Sequence, residues 1–70
     1  MFFKRIKELR EDKDFGQKEV AAYLGIPRGT YRNYENGYRK IPAEILVKLA
    51  EFYNVSVDYL LEVSDKKERE

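Results

Sequence analysis

Apolar side chains recur along this chain at steps of three and four, the period of an α-helix, and β-branched residues never alternate over a useful length. Phe2, Ile6 and Leu9 set one stripe of a first helix inward, with Arg5, Lys7, Glu8 and Arg10 on its other faces. The polar EDKD run reads as a short loop, and Gly16 falls at the N-cap of a second helix that begins at Gln17. Val20, Ala21 and Leu24 share a face of that helix. Gly25 ends it, because glycine takes the left-handed conformation of a helix C-cap without steric cost. Ile26 is an apolar turn residue expected to be buried, and Pro27 suits the first turn of the next helix, whose leading N–H groups lack intrahelical partners.

A third helix is expected from about Arg28 to Asn36, with Tyr31 and Tyr34 on one side and Arg28, Gly29, Arg32 and Asn33 on the other. After a loop (YRKI), Pro42 opens a fourth helix with a wide stripe of Ile45, Leu46, Leu49, Ala50 and Tyr53, closed at Asn54. Ser56 caps a short fifth helix, with Asp58 in its first turn and Val57, Leu60 and Leu61 on its apolar face. The pattern predicts an all-α, compact five-helix bundle over residues 1–63, followed by a charged, frayed tail over 64–70, SDKKERE.

Composition narrows the chemistry. Seventy residues make one small domain, and the chain has neither cysteine nor histidine. That removes disulfides, thiolate nucleophiles, histidine bases and nearly all transition-metal sites, so no metal and no cofactor is expected. A glycine-rich phosphate loop is also missing, and an enzyme is not expected. No apolar run approaches a membrane span and no signal peptide opens the chain, which points to a cytoplasmic protein without a membrane partner. The net charge of +1 conceals an asymmetry: residues 1–40 hold 10 Lys/Arg against 6 Asp/Glu, and residues 41–70 hold 4 against 7. A basic first half suits a polyanion on one side only.

The informative stretch is QKEVAAYLGIPRGTYRNYENG, residues 17–37. Two short helices joined by a tight glycine-containing turn, with small Ala21 where they cross steeply, form a helix-turn-helix. Its second helix offers an outer face to the DNA major groove, which is wide enough to admit a helix. IKELRED in the first helix, the glutamine heading the second, AAYLGI through the turn, YENG after the third and LVKLAEFYNVSVDYLL across the last two complete a specific order. With these features residues 4–62 resemble the lambda-repressor-like, or xenobiotic-response-element, helix-turn-helix family. The resemblance implies a five-helix domain that binds double-stranded operator DNA, usually as a homodimer on a palindrome, in a prokaryotic or phage transcriptional regulator, most often a repressor. The chain departs from that pattern at Gly16 and Pro27, where Ser or Thr is usual, and at Tyr31, where Ile or Val is usual.

Geometry and resemblance together assign expected roles. Arg28, Gly29, Arg32 and Asn33 are the candidates for base contact: arginine can fork onto guanine, asparagine can pair with adenine, and glycine permits close backbone approach. Gln17 and Thr30 are candidate phosphate ligands, Gln17 because it heads a helix and because the family places a phosphate-binding glutamine there. Asn36, Tyr38, Arg39 and Lys40 would follow the flanking DNA backbone. Arg10 and Glu35 match a family ion pair and read as an exposed structural pair that orients the third helix. Val55, Val57, Tyr59 and Val63 exceed what a short helix needs on one face, and Tyr59 and Val63, four residues apart, are the dimer-interface candidates. The alternative function is a helix-turn-helix protein–protein module, such as an antitoxin-like or accessory subunit, and the acidic second half would suit a protein co-regulator.

Overall fold

The computed structural model describes residues 3–63. Within them the chain forms α1 (Lys4–Asp12), α2 (Gln17–Leu24), α3 (Arg28–Glu35), α4 (Ala43–Tyr53) and α5 (Val57–Leu60), with no strand among the described residues. The all-α, five-helix expectation therefore holds. Phe2 and the tail at 64–70 lie outside the described residues. The EDKD run is not all loop: α1 continues through Glu11 and Asp12.

All five helices stop in the same way. A residue with positive φ follows each of them: Asp14, Gly25, Gly37, Asn54 and Glu62, at 58°, 72°, 79°, 55° and 62°. The N–H after each of these reaches back five residues, from Phe15 to Arg10, Ile26 to Ala21, Tyr38 to Asn33, Val55 to Ala50 and Val63 to Asp58, over 2.9–3.1 Å. This is the Schellman arrangement, which satisfies carbonyls the last helical turn leaves open. The residue in that reaching position is apolar every time. Phe15 and Ile26 lie against the core and Val55 is part of it, whereas Tyr38 and Val63 stand 75% and 73% exposed.

The helix starts are less uniform. Ser56 Oγ accepts the Tyr59 N–H at 3.0 Å, the side-chain cap expected from its type. At α2 the cap is reversed, and the Gly16 N–H donates to Glu19 Oε1 at 2.9 Å. Pro27 and Pro42 do not lie in the first turn but one place before it, with ψ of 147° and 150°. Each serves through its carbonyl, which accepts Tyr31 N–H in one case and Ile45 and Leu46 N–H in the other.

α2 packs most extensively on α3 and α4 on α5, while α1 lies against α3 and α5. The core joins Ile6, Leu9, Val20, Ala21, Leu24, Tyr31, Ile45, Leu49, Ala50, Tyr53 and Leu60. Two residues read as peripheral belong to it as well: Ile41, in the loop before α4, and Val55, which is no surplus. Ile41 follows a basic run, and only the return of the chain over the bundle buries it. Arg5 fastens the C-terminal end to α1, its Nη1 donating to the Tyr59 carbonyl at 3.1 Å and its guanidinium lying 4.3 Å from the Tyr59 ring centroid.

Gly25 isolates the conformational part of this design, because a Cβ there meets nothing within 4 Å. Gly25→Ala should lower unfolding free energy by about 1–2 kcal/mol through the left-handed backbone alone. Urea denaturation followed by circular dichroism measures this; an unchanged midpoint would contradict it.

Candidate nucleic-acid interface

Between α2 and α3 lie three residues, Gly25, Ile26 and Pro27, and α2 presents buried Ala21 to its partner. This is the helix-turn-helix crossing, and it decides which side of α3 is left outside. Tyr31 and Glu35 face inward and are buried, with Tyr34 half-buried beside them. At about 100° per residue, Arg28, Arg32, Asn36, Gly29 and Asn33 follow one another round an outer arc of roughly 140°. Arg28, Gly29, Arg32 and Asn36 are exposed, while Asn33 and Thr30 are half-buried. The four base-contact candidates are thus gathered on one face, with Asn36 among them and Thr30 at its margin.

Tyr38, Arg39 and Lys40 continue from the end of that face, all exposed. Their loop is fixed by backbone hydrogen bonds: the Asn33 carbonyl accepts N–H from Tyr38 at 2.9 Å and from Arg39 at 3.2 Å. Tyr38 is therefore held out in solvent by an anchored backbone. Among the described residues Arg28, Arg32, Arg39 and Lys40 make no ion pair, so their donors face water.

Behind this face lies a feature the sequence reading underestimated. Glu35 is 1% exposed, and its carboxylate accepts four hydrogen bonds. Arg10 of α1 forks onto it, Nε to Oε2 at 2.9 Å and Nη2 to Oε1 at 3.0 Å. The Tyr31 hydroxyl donates to Oε2 at 2.7 Å, and Gln17 Nε2, from the start of α2, donates to Oε1 at 3.2 Å. Arg10 also donates Nη1 to the Phe15 carbonyl at 2.8 Å, which ties down the loop into α2. The Arg10–Glu35 pair is thus not the exposed one expected but a buried, bidentate one. Spacing held the missed signal: Glu35 lies four residues after Tyr31 and shares its inward face.

Electrostatics follow from that geometry. Burial acts to raise the Glu35 pKa, yet the hydrogen bonds from Arg10, Tyr31 and Gln17 outweigh it and hold the carboxyl below its ordinary value. The same hydrogen bond to Glu35 raises the pKa of Arg10. Burial, and then the bond to Glu35, push the Tyr31 phenol well up. The Tyr53 hydroxyl is buried with no hydrogen-bond partner, and burial pushes it up to about 12. Among the described residues no group of His, Cys, Asp or Glu could hold a metal ion.

Comparison with known proteins agrees with this geometry. A family model described as Helix-turn-helix matches residues 6–60. The chain belongs to that family, the lambda-repressor-like one its motifs resemble. This helix-turn-helix domain is 47% identical over 68 residues to the HTH-type transcriptional regulator ImmR of Bacillus subtilis, covering 93% of the chain and 54% of ImmR. It is 38% identical over 65 residues to the cryptic phage CTXphi transcriptional repressor RstR of Vibrio cholerae, covering 93% of the chain and 59% of RstR. The chain thus spans somewhat over half the length of these two relatives. Among solved structures it resembles the N-terminal DNA binding domain of SinR from Bacillus subtilis, with a TM-score of 0.71 and 29% identity over 81% of this chain and 84% of that one. The family is one of regulators rather than enzymes. No helix among the described residues is long and apolar enough to cross a membrane.

The two dimer candidates of this helix-turn-helix domain do not share a helix face. α5 ends at Leu60 and the chain turns left-handed at Glu62, so the four-residue step from Tyr59 to Val63 leaves the helix. Tyr59 is half-buried beneath Arg5, and Val63 is exposed.

The lowered Glu35 pKa fixes a pH dependence. Its ionised form supports the fold fully above the ordinary value of 4.5, and that support is lost as pH falls through the lower folded value. The raised tyrosines act at the other end: Tyr31 and Tyr53 remain neutral when folded, so stability drops as pH rises above 10. Glu35→Gln should cost about 3 kcal/mol at pH 7, since it leaves the Arg10 charge without its counter-ion. Urea midpoints from pH 2 to 7 should show the gap to the parent protein narrowing only below pH 4.5.

Proposed function

We propose that this domain binds double-stranded DNA sequence-specifically, with α3 in the major groove, and regulates transcription in a prokaryotic cytoplasm. It acts as a homodimer on a palindromic operator, most simply as a repressor. One observation carries this reading: the outer arc of α3 gathers Arg28, Arg32, Asn33 and Gly29 on the second helix of a helix-turn-helix, its arginines making no ion pair among the described residues. Arg28 and Arg32 are suited to guanine, Asn33 to adenine. Gln17 and Thr30, together with Asn36, Tyr38, Arg39 and Lys40, are assigned to phosphates on either side of the groove. The first-turn N–H groups of α2 add donors for an anion beside Gln17.

Gly29 supports this reading by elimination. It is exposed within a helix, and a Cβ built on it meets nothing within 4 Å. Nothing inside the domain requires glycine there, although glycine in a helix costs about 0.5–1 kcal/mol relative to alanine. A duplex backbone or base edge approaching α3 closely supplies a reason.

In vitro selection of bound duplexes tests the function directly. A palindromic consensus is expected; recovery of unrelated sequences with equal, weak affinity would reject it. On the selected duplex, Arg28→Ala should lose about 1–3 kcal/mol of discrimination at one base position. Arg39→Ala should weaken all sequences alike and reduce the salt slope by about 1. Gly29→Ala should raise thermal stability, by about 0.5–1 kcal/mol, while lowering affinity for the duplex. Equal affinity of Gly29→Ala and the parent would remove close approach at that point.

A further inference from the structure

Tyr31 is 1% exposed, so it cannot touch DNA. Its hydroxyl makes the shortest of the four bonds to Glu35, at 2.7 Å to Oε2. Each carboxylate oxygen takes two donors: Oε2 those of Tyr31 and Arg10 Nε, Oε1 those of Gln17 and Arg10 Nη2. That even division fixes the plane of the carboxylate. An ionised carboxylate only accepts, so Gln17 must offer it the amide nitrogen, which settles which end of the amide faces inward. A phosphate is likewise an acceptor. Only the second N–H on the same nitrogen is left for it, and that N–H has a fixed direction only while the first is held by Oε1.

We propose that Tyr31 is a positioning residue for DNA phosphate binding: through Glu35 it orients the amide of Gln17, joining the buried face of α3 to the leading end of α2. This rests on the reading of Gln17 as a phosphate ligand. Removing the Tyr31 hydroxyl leaves Oε2 with Arg10 alone. The carboxylate then turns toward the guanidinium, Oε1 moves off Gln17, and the amide is free to rotate. Because Tyr31 and Glu35 lie four residues apart on one helix, the backbone need not shift for this to happen.

A double-mutant cycle in DNA affinity separates this from a general structural role. The probe is a duplex obtained by in vitro selection on the parent protein. Tyr31→Phe should weaken binding about 3- to 10-fold when Gln17 is present, the worth of one hydrogen bond. In a Gln17→Ala background the same change should have almost no effect. Equal weakening in both backgrounds, or none in either, would overturn the proposal. The free protein gives a second readout that needs no DNA, the side-chain amide protons of Gln17 by nuclear magnetic resonance. In the parent the proton donated to Glu35 should lie away from its free-glutamine position and exchange slowly with water. In Tyr31→Phe it should return to that position and exchange fast while the backbone amide spectrum stays folded. If they do not respond, the positioning role is wrong whatever the DNA data say. If they respond but the parent selects no duplex, the DNA reading fails and the link between Tyr31 and Gln17 stands.

Discussion

A single buried carboxylate governs how the first three helices meet. Taking a charge out of water costs several kcal/mol, and Glu35 can remain ionised inside the bundle only because Arg10, Gln17 and Tyr31 supply four donors to it. Those donors come from α1, α2 and α3, so any rotation of α3 about its axis breaks bonds to two other helices. Hydrophobic packing is non-directional and would tolerate a small twist; the bidentate arginine does not. The outer arc of α3 therefore inherits its orientation from an interaction on the opposite side of the same helix.

That arrangement also sorts the charges. Arg10 and Glu35 neutralise each other inside, and neither contributes much to the field outside. Arg28, Arg32, Arg39 and Lys40 remain exposed and make no ion pair among the described residues, so the surface of α3 and its following loop is cationic. The balance of the first half of the chain counts all of these residues alike. Their division into an internal pair and an external strip gives that balance a direction.

The helix ends explain how a chain of 70 residues without cysteine holds the five described helices together. Each stop is left-handed, and each sends the next residue back across the helix it has left. At Phe15, Ile26 and Val55 that residue buries apolar surface, so ending the helix and building the core are one event. At Tyr38 and Val63 the backbone does the same while the side chain remains in water. Tyr38 borders the proposed DNA face, so its exposure has a reason there that packing does not provide.

What could be read from residues alone was local. Steps of three and four gave the inward faces of α1, α2 and α4, Gly25 and Asn54 marked helix ends, and Ser56 marked a start. The motif order gave the family, and the helical period gave the outer arc of α3. Other features could not be read locally. Asp14 and Glu62 are left-handed without being glycine; the turn at Asp14 returns Phe15 to the core, and the turn at Glu62 lets the Val63 N–H reach the Asp58 carbonyl. Ile41 and Val55 look like loop residues until the chain folds back over them. Glu35 looks like any surface glutamate, and its pairing with Arg10 suggested an exposed ion pair. Its depth depends on where α1 and α2 stand, and its partners lie 4, 18 and 25 residues away in sequence. Periodicity and backbone preference act within a few residues, so the sequence by itself determined the elements and their faces. Desolvation and hydrogen-bond satisfaction depend on every atom brought near a group, so only the tertiary structure decided which charge is buried, which tyrosine holds it and which arginines are left facing outward.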